Sequence, residues 1–404
     1  MGHGLSFTDS PKIEPAIANR LRNISGIVGG LGIVASVGLA LSGENGLKEF
    51  YFSYLTAFTA CVTISLGCLF FVILHHLTRA TWSAAFRRVA ENVASVLPWA
   101  FIGFIPVVIG LHDLYHWSHA EAVAADPILQ GKSGYLNQPF FLVRAGIYLG
   151  LWTLMALFFR KMSVQQDESG DVQLTFRMRW WAPLSTLAFA LSVTYAAFDW
   201  IMSLNPHWFS TMFGVIIFAG SMISAFAMLI LLGTWLQKNA ALSTTLTPGI
   251  FHDAGKLMWG FIIFWTYTSF SQYFLIWYGN IPEETEWYLI RMNGGWEKMG
   301  VLVIFGHFIF PFWVLLSRHM KRNRKVLAAA AVWMLFIHYC DLYYMIMPNM
   351  PETGHHLHPS LLNLTTLMAV AGCYGAAIAS KFTKDAVVAH RDPQLVASMN
   401  YDNF

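Results

Sequence analysis

Residues 50–77 read FYFSYLTAFTACVTISLGCLFFVILHHL, without one aspartate, glutamate, lysine or arginine. A helix that crosses a lipid bilayer needs about 20 consecutive, mostly apolar residues. This run is longer than that, and its side chains offer almost nothing that water would solvate. It therefore predicts a membrane-spanning helix, which makes the chain an integral membrane protein.

Nine further apolar runs extend this pattern along the chain. Of all residues, 56% are hydrophobic and only 12% are charged, whereas a soluble domain carries about 25% charged residues. The sequence predicts an all-α integral membrane protein, a single membrane domain over 1–404, with no indication of nucleic-acid binding. The predicted spans lie near 24–42, 50–77, 93–111, 138–159, 181–202, 210–236, 257–278, 300–317, 328–347 and 361–380.

The lysines and arginines alternate in number from one loop to the next. With ten spans, 20 of the 25 fall on the side that holds both termini, four fall on the other side, and Arg144 lies inside a span. Basic residues accumulate in cytoplasmic loops, so the N- and C-termini are predicted to be cytoplasmic. The apolar run after the polar first 23 residues could be read as a signal peptide, but we interpret it as the first span.

Two matching stretches indicate an internal repeat. Asp199 and Asp341 each stand seven residues before a proline, Pro206 and Pro348 respectively. The preceding spans also end in similar basic sequences. These matches predict two four-helix bundles, helices 2–5 and 6–9, in units of approximately 50–206 and 210–348. Four helices return the chain to its starting side, so the bundles would be parallel repeats flanked by helices 1 and 10.

Four other segments carry open interpretations. Segment 79–92 is predicted to be a short interfacial helix, and the polar residues 381–404 a cytoplasmic tail that docks or stays mobile. Small residues in the first and last spans indicate close helix packing, within this chain or against a partner. None of the four cysteines forms a C-x-x-C pair, so buried structural thiols are expected and no metal site is predicted.

Polar residues at membrane depth are the candidate functional groups. Ionisable side chains inside a bilayer are costly and usually face the protein interior. Arg144 could pair with an aspartate or reach outwards to the interface, and a lone histidine is often only a core residue. The predicted proton path comprises Asp199, Asp341, His307, His338 and Arg144 in the outer half, with His75 and His76 near the inner end.

A second polar group is predicted at the outer mouth of the bundle. Carboxylates and histidines there could exchange protons with water, whereas a solvated surface is the simpler interpretation. No catalytic residue is predicted. The outer-mouth residues are His112, Asp113, His116, His207, Gln272 and Glu284.

Two long motifs resemble a known family. Residues 198–209 read FDWIMSLNPHWF and residues 271–287 read SQYFLIWYGNIPEETEW. Both are similar to motifs of the F subunit of alternative complex III, in the NrfD/polysulfide-reductase membrane family. The resemblance spans nearly the whole chain. It implies a membrane subunit of a bacterial quinol:electron-acceptor oxidoreductase in the inner (cytoplasmic) membrane, suspected of conducting protons.

The resemblance also implies what surrounds the chain. Haem c and iron–sulfur clusters are expected on other membrane and periplasmic subunits, which include a paralogous quinol-binding membrane subunit. No cofactor is expected on this chain, and quinol binding to it stays open. The respiratory or photosynthetic oxidoreductase activity would then belong to the complex.

Three alternatives remain at this point. A structural membrane scaffold would use the polar residues only to hold helices together. A stand-alone secondary transporter would be expected to show a pair of broken helices at mid-membrane, which the sequence does not show clearly. A haem b cytochrome could use His307 and His338, but no second histidine pair supports several haems.

Overall fold

A computed structural model describes residues 8–239, 241–351 and 354–401, and all regular structure in these ranges is helical. The helices are α1 (Pro15–Ser42), α2 (Gly46–Thr78), α3 (Ala84–Ala94), α4 (Ala100–Ile109), α5 (Leu111–Leu114), α6 (Ala120–Ala125), α7 (Pro127–Lys132), α8 (Gln138–Ser169), α9 (Gln173–Trp200), α10 (Phe213–Lys238), α11 (Pro248–Gly279), α12 (Pro282–Arg291), α13 (Trp296–Ile304), α14 (Phe310–Leu316), α15 (Arg318–Arg322), α16 (Arg324–Ile346), α17 (Leu361–Lys384) and α18 (Leu395–Met399). Short 3₁₀ turns cover Leu97–Trp99, His116–Ser118, Met202–Leu204 and Met347–Asn349, and a π-helical turn covers Phe305–Ile309.

Nine stretches of the described chain are long and apolar enough to cross a bilayer. They coincide with predicted spans 1–6 and 8–10, where α3 continues into α4, and α13 continues through the π-helical turn into α14. The predicted seventh span, 257–278, lies in α11, which has 32 residues but is not among the nine. Its tryptophans, tyrosines, threonines and Gln272 lower its mean hydropathy. The chain is an all-helical, multi-pass membrane protein.

The segment predicted to be interfacial, 79–92, instead enters the protein interior. Every residue of α3 is buried, and the side chains of Arg87 and Arg88 are 0% and 1% exposed. These arginines are accommodated because carboxylates from three parts of the chain meet them. The interfacial interpretation is therefore wrong, and α3 with α4 forms one apolar stretch.

Helices α2 and α10 form the centre of the molecule. They pack on each other, α9 and α16 each contact both of them, and α2 is buried over most of its length. The closest approach occurs at Gly67, where an added Cβ atom would lie 2.1 Å from the carbonyl oxygen of Ser221. A larger residue at this position would push the two central helices apart.

Helices α1 and α17 pack against each other through small residues at the edge of the bundle. A Cβ atom on Gly32 would lie 2.3 Å from the backbone nitrogen of Ala369, and one on Gly372 would lie 2.4 Å from that of Gly29. Backbones that approach this closely need small residues. The small-residue faces predicted in the first and last spans are thus used within the chain, and the outer face of α1 carries exposed apolar side chains.

The C-terminal segment docks on the bundle rather than extending from it. Val387, Val388 and Ala389 are fully buried, and the backbone N–H of Val387 donates to the carbonyl oxygen of Pro11. Of the four free cysteines, Cys61, Cys68 and Cys340 are buried as expected, whereas Cys373 is exposed. For Cys373, the expectation of a buried thiol is wrong.

Candidate functional site

The Asp199 carboxylate is held in a closed ion pair. Arg144 of α8 donates to both of its oxygens, from Nε at 2.7 Å and from Nη2 at 3.0 Å. The Tyr148 hydroxyl donates to the same carboxylate at 2.8 Å, and Asp199 is 0% exposed. The ion pair predicted for Arg144 is confirmed. Bidentate Arg–carboxylate pairs are geometrically specific and strong, so this group of residues fixes α8 against α9.

Aromatic rings complete the surroundings of Arg144. Its remaining terminal nitrogen, Nη1, donates to the carbonyl oxygen of Tyr135 at 2.8 Å. The guanidinium lies 3.8 Å from the ring centre of Tyr135 and 4.3 Å from that of Phe140. Such contacts stabilise a cation that has left water. Arg144 therefore points inwards to Asp199 and does not snorkel.

Asp341 lies in a different environment. Trp265 of α11 donates its indole N–H to the carboxylate at 3.1 Å, and His307 Nδ1 lies 3.9 Å from the same oxygen. Asp341 is 4% exposed and His307 is fully buried. No lysine or arginine forms an ion pair with Asp341 among the described residues. The ionisable group that its carboxylate faces from another helix is the imidazole of His307, which can gain and lose a proton.

His307 lies at an irregularity in its helix. The π-helical turn Phe305–Ile309 interrupts the α-helical hydrogen bonding between α13 and α14, and such turns occur frequently at functional sites. Pro311 has no N–H to donate to the carbonyl of His307, four residues earlier. The neighbouring Gly306 carbonyl accepts from the indole N–H of Trp333 at 2.8 Å. The irregular backbone is thus held against α16, the helix that carries Asp341.

His338 faces the central helices from α16. Its Nε2 lies 2.8 Å from the hydroxyl oxygen of Thr63 on α2. A Cβ atom on Gly220 of α10 would lie 3.1 Å from the His338 ring, so the ring is closely packed on that side. His338 precedes Asp341 by three residues and lies on the same helix face. The structure brings His307, His338 and Asp341 together, and we call these three residues the Asp341 cluster.

A small cavity separates the Asp341 cluster from the Asp199 ion pair. It has a volume of about 20 Å³, and Thr63, Trp152 and Trp200 are among the residues that line it. Trp200 Nε1 is buried and has no hydrogen-bond partner among the described residues. No hydrogen bond or ion pair in the described chain joins the two groups directly. The five outer-half residues of the predicted path therefore form two separate sets.

The inner histidines adjoin a buried charged network that sequence reasoning missed. Arg87 lies 3.2 Å from Glu91 and 2.8 Å from Asp392, and Arg88 lies 2.8 Å from Glu91 and 2.7 Å from Asp167. The side chains of these five residues are 0–7% exposed. Three charged residues at 87–91, between apolar neighbours, were the available signal. The partners Asp167 and Asp392 are too distant in sequence to be inferred.

His75 and His76 lie where α2 reaches this network. His75 Nδ1 is 2.7 Å from the Ser83 hydroxyl, and the His76 ring stacks on Phe159 at 5.5 Å. Neither ring nitrogen of His76 has a hydrogen-bond partner within the described residues. The C-terminal segment, which supplies Asp392, covers this end of the bundle. His75 and His76 are remote from the Asp341 cluster along α2.

The outer-mouth residues are dispersed among local surface contacts. His112 pairs with Ser118 and Gln138. His207 contacts Asp126, and its hydrogen bond holds the pKa of that carboxyl below the ordinary value of 3.8. Gln272 bridges Ser210 and Tyr288. His116, Asp113 and Glu284 join none of these contacts through their side chains, although the Glu284 carbonyl accepts from Trp208 Nε1. Among the described residues, no group of three or more His, Cys, Asp or Glu side chains is arranged to hold a metal ion.

Arg291 is a buried cation that the sequence did not single out. It is 1% exposed, it donates to the carbonyl oxygens of Tyr344 and Met345 at 3.0 and 2.8 Å, and burial lowers its pKa to about 9. These carbonyls belong to the last turn of α16, where the helix dipole favours a positive charge. Arg291 therefore fixes the end of the helix that carries Asp341.

No family model matches this chain, and no curated protein matches it either. The described residues define the class, an all-helical multi-pass membrane protein in which Asp199 and Asp341 are buried within the helix bundle.

Proposed function

We propose that this chain is a proton-conducting membrane subunit of a quinol:electron-acceptor oxidoreductase of the alternative complex III type, without its own redox centre. The observation that carries the proposal is the Asp341 cluster, in which a buried carboxyl faces a histidine at 3.9 Å beside a π-helical turn. Carboxyl and imidazole groups exchange protons near neutral pH when water or a neighbouring group moves.

The 3.9 Å separation is longer than a hydrogen bond. Transfer between Asp341 and His307 therefore requires a water molecule or a side-chain movement. His338 would pass a proton to the Thr63 hydroxyl on the central helix α2 as that hydroxyl releases its own proton to a water molecule, for which the adjoining cavity of about 20 Å³ has room. On the inner side, His75 and His76 would receive protons. The apolar middle of α2 separates these two half-paths.

Arg144 and Asp199 take a supporting role in this proposal. A carboxylate that accepts two N–H groups from a permanently charged arginine and one hydroxyl is poorly suited to exchange protons. The arrangement supports a structural function for this pair. At this one site, the polar residues hold helices together, as the scaffold alternative expects for all of them. The close packing around His338 and the tilted contact between the His307 and Trp265 rings, at 3.8 Å between ring centres, fit the haem b alternative poorly.

The finer architecture belongs to the same proposal. We infer ten crossings, with α11 as the seventh, and parallel repeat units at approximately 50–206 and 210–348. The helix contacts support the repeat. In the first unit α2 packs against α9, and in the second unit the equivalent helices α10 and α16 pack against each other. Between the units, α2 also contacts α16, and α10 also contacts α9. Each aspartate faces a basic residue from the preceding crossing, Arg144 or His307.

The surroundings follow from the resemblance and the basic loops. Both termini would face the cytoplasm of a bacterial inner membrane, and haem c and iron–sulfur subunits would accompany the chain together with a quinol-binding paralogue. We expect a membrane-impermeant thiol reagent to label the variant Arg322→Cys only from the cytoplasmic side. Labelling from the periplasm would overturn the orientation. A purified complex is expected to show haem c on its partner chains, and isolation as a lone chain would favour the transporter.

The relay is tested by Asp341→Asn in the intact complex, reconstituted in liposomes with a pH-sensitive dye. This change keeps size and hydrogen-bond acceptance but removes titration. We expect normal assembly and quinol oxidation with proton movement reduced at least tenfold. Asp199→Asn is the matched variant at the other site, and its proton movement per assembled complex should stay near wild type. If Asp341→Asn assembles and moves protons normally, the scaffold interpretation replaces the relay.

A further inference from the structure

A long apolar groove lies between α1, α2, α4 and α17, away from both aspartate sites. Its volume is about 770 Å³. Along α1 it extends from Arg22 to Val37, which is about 22 Å at 1.5 Å per residue. One leaflet of the hydrocarbon core is about 15 Å deep, half of the whole. The groove is therefore long enough to hold a chain that starts at one membrane surface and passes the midplane.

The polar side chains in the wall of the groove are already hydrogen-bonded to the protein. Tyr54 donates to the carbonyl oxygen of Gly103 at 2.7 Å, and the hydroxyls of Ser65 and Tyr374 lie 2.9 Å apart. Ser36, Thr366 and Ser380 bond to neighbouring groups in the same way. A quinone ring needs hydrogen-bond donors from its site, and these side chains have donated theirs elsewhere. The wall suits a hydrocarbon chain.

One end of the groove is basic. Arg22 is exposed there, and its guanidinium makes a long hydrogen bond of 3.5 Å with its neighbour Asn23, which leaves several N–H groups directed to solvent. Trp99 also lines the groove and is 58% exposed. Lys381 and Lys384 lie in the last turn of the antiparallel helix α17. The positive charge of this end is complementary to the negative charge of a phosphate group.

We propose that the groove is a specific binding site for one phospholipid, with its phosphate on Arg22 and an acyl chain along the wall. A partner's transmembrane helix is the competing occupant. The exposed Arg22 at one end of the groove favours the phospholipid, because a guanidinium binds a phosphate group. In the orientation proposed above, the headgroup belongs to the cytoplasmic leaflet, where anionic lipids favour basic residues.

Two glycines on α1 provide a matched test. A Cβ atom on Gly26, which lines the groove, meets nothing within 4 Å, and neither does one on Gly30, which lies outside the lining. Gly26→Phe therefore places a ring in the groove with no clash at its Cβ atom, and Gly30→Phe places the same ring one turn away. Gly26→Leu is a smaller second variant if the phenylalanine impairs folding.

The measurement is native mass spectrometry of the detergent-purified protein, with phospholipid and quinone in the same samples quantified by extraction. We expect one phospholipid retained in wild type and Gly30→Phe, and at least a fivefold loss in Gly26→Phe. Arg22→Gln should weaken rebinding of added phosphatidylglycerol at least threefold. Equal phospholipid retention in Gly26→Phe and Gly30→Phe overturns the proposal, as does selective loss of quinone, or of a partner subunit, in Gly26→Phe.

The outcome is independent of the proton relay. None of these substitutions touches the Asp341 cluster, so proton movement should persist in Gly26→Phe whether or not the lipid is displaced.

Discussion

Asp199 and Asp341 stand at matching places in the sequence, yet different kinds of side chain surround their carboxyl groups. Asp199 is bound by two arginine N–H groups and a tyrosine hydroxyl. Asp341 accepts one indole N–H, with a histidine at 3.9 Å. Both are almost completely buried, so burial does not distinguish them. The difference is the partner, a permanent cation in one case and a titratable group in the other.

In the proposed function, this difference assigns a structural role to one site and proton exchange to the other. A buried charge without a partner costs several kcal/mol, so Arg144 and Asp199 stabilise the fold only while both are present. Asp341 has no permanent cation beside it among the described residues. Its neutral form therefore leaves no charge uncompensated, and its ionised form needs a protonated His307 or a water molecule.

The largest expected effect is the loss of one member of the closed pair. Arg144→Met leaves a buried carboxylate without its cation, and we expect it to lower the free energy of unfolding by about 3–5 kcal/mol. Thermal unfolding in detergent measures this. The double variant Arg144→Met with Asp199→Asn should recover most of the loss. A single variant as stable as wild type would remove the contrast between the two sites.

Removal of one hydroxyl should have the next largest effect. Tyr148→Phe deletes only the group that donates to Asp199 at 2.8 Å, and hydrogen bonds to charged groups are worth about 1.5–3 kcal/mol. Tyr339→Phe is the control, because its hydroxyl makes a 3.4 Å contact with a backbone carbonyl and should matter less, by about 1 kcal/mol or under. Equal losses in the two variants would show that the Asp199 site is not unusually strong.

At the other site, Asp341→Asn should change stability little. The asparagine oxygen can still accept from Trp265, so we expect a loss of about 1 kcal/mol or less in unfolding free energy. Asp199→Asn leaves Arg144 without a counter-charge and should cost more. The two variants are compared in the same unfolding assay. If Asp341→Asn is the more damaging, Asp341 is the stronger structural contact and the comparison is reversed.

The smallest effect is expected at the exposed pair of Asp126 and His207. The hydrogen bond from His207 holds the pKa of Asp126 below its ordinary value of 3.8. A carboxyl with a lowered pKa in the folded state stabilises the fold above the unfolded value and loses this contribution as the pH falls through the folded value.

Asp126→Asn should therefore lower the melting temperature slightly at pH 6, and the difference from wild type should shrink below pH 3.8 and disappear as the pH falls through the lower folded value. The asparagine oxygen can still accept from the backbone N–H groups of Ile128 and Leu129, as Asp126 does, so the change removes only the contact of the second carboxylate oxygen with His207. A difference that grows towards low pH would contradict this sign.

The sequence by itself determined the helical membrane architecture. Apolar runs such as 50–77 are local properties of the chain, and a bilayer permits only a helix or a closed barrel to carry them. The close packing of α1 on α17 was likewise indicated by their small residues. The aromatic and hydroxyl side chains of α11 give it a lower hydropathy than the nine candidate spans have, so a crossing over 257–278 stays a prediction.

Only the tertiary structure decided which polar groups meet. The pairing of Arg144 with Asp199, and of Asp341 with Trp265 and His307, joins residues 34–76 positions apart. Arg87 looked interfacial because its carboxylate partner Asp392 lies in a distant terminal segment. Residue type fixes the charge that must be compensated, but long-range packing chooses the partner, and the partner decides whether a buried charge is locked or free to exchange its proton.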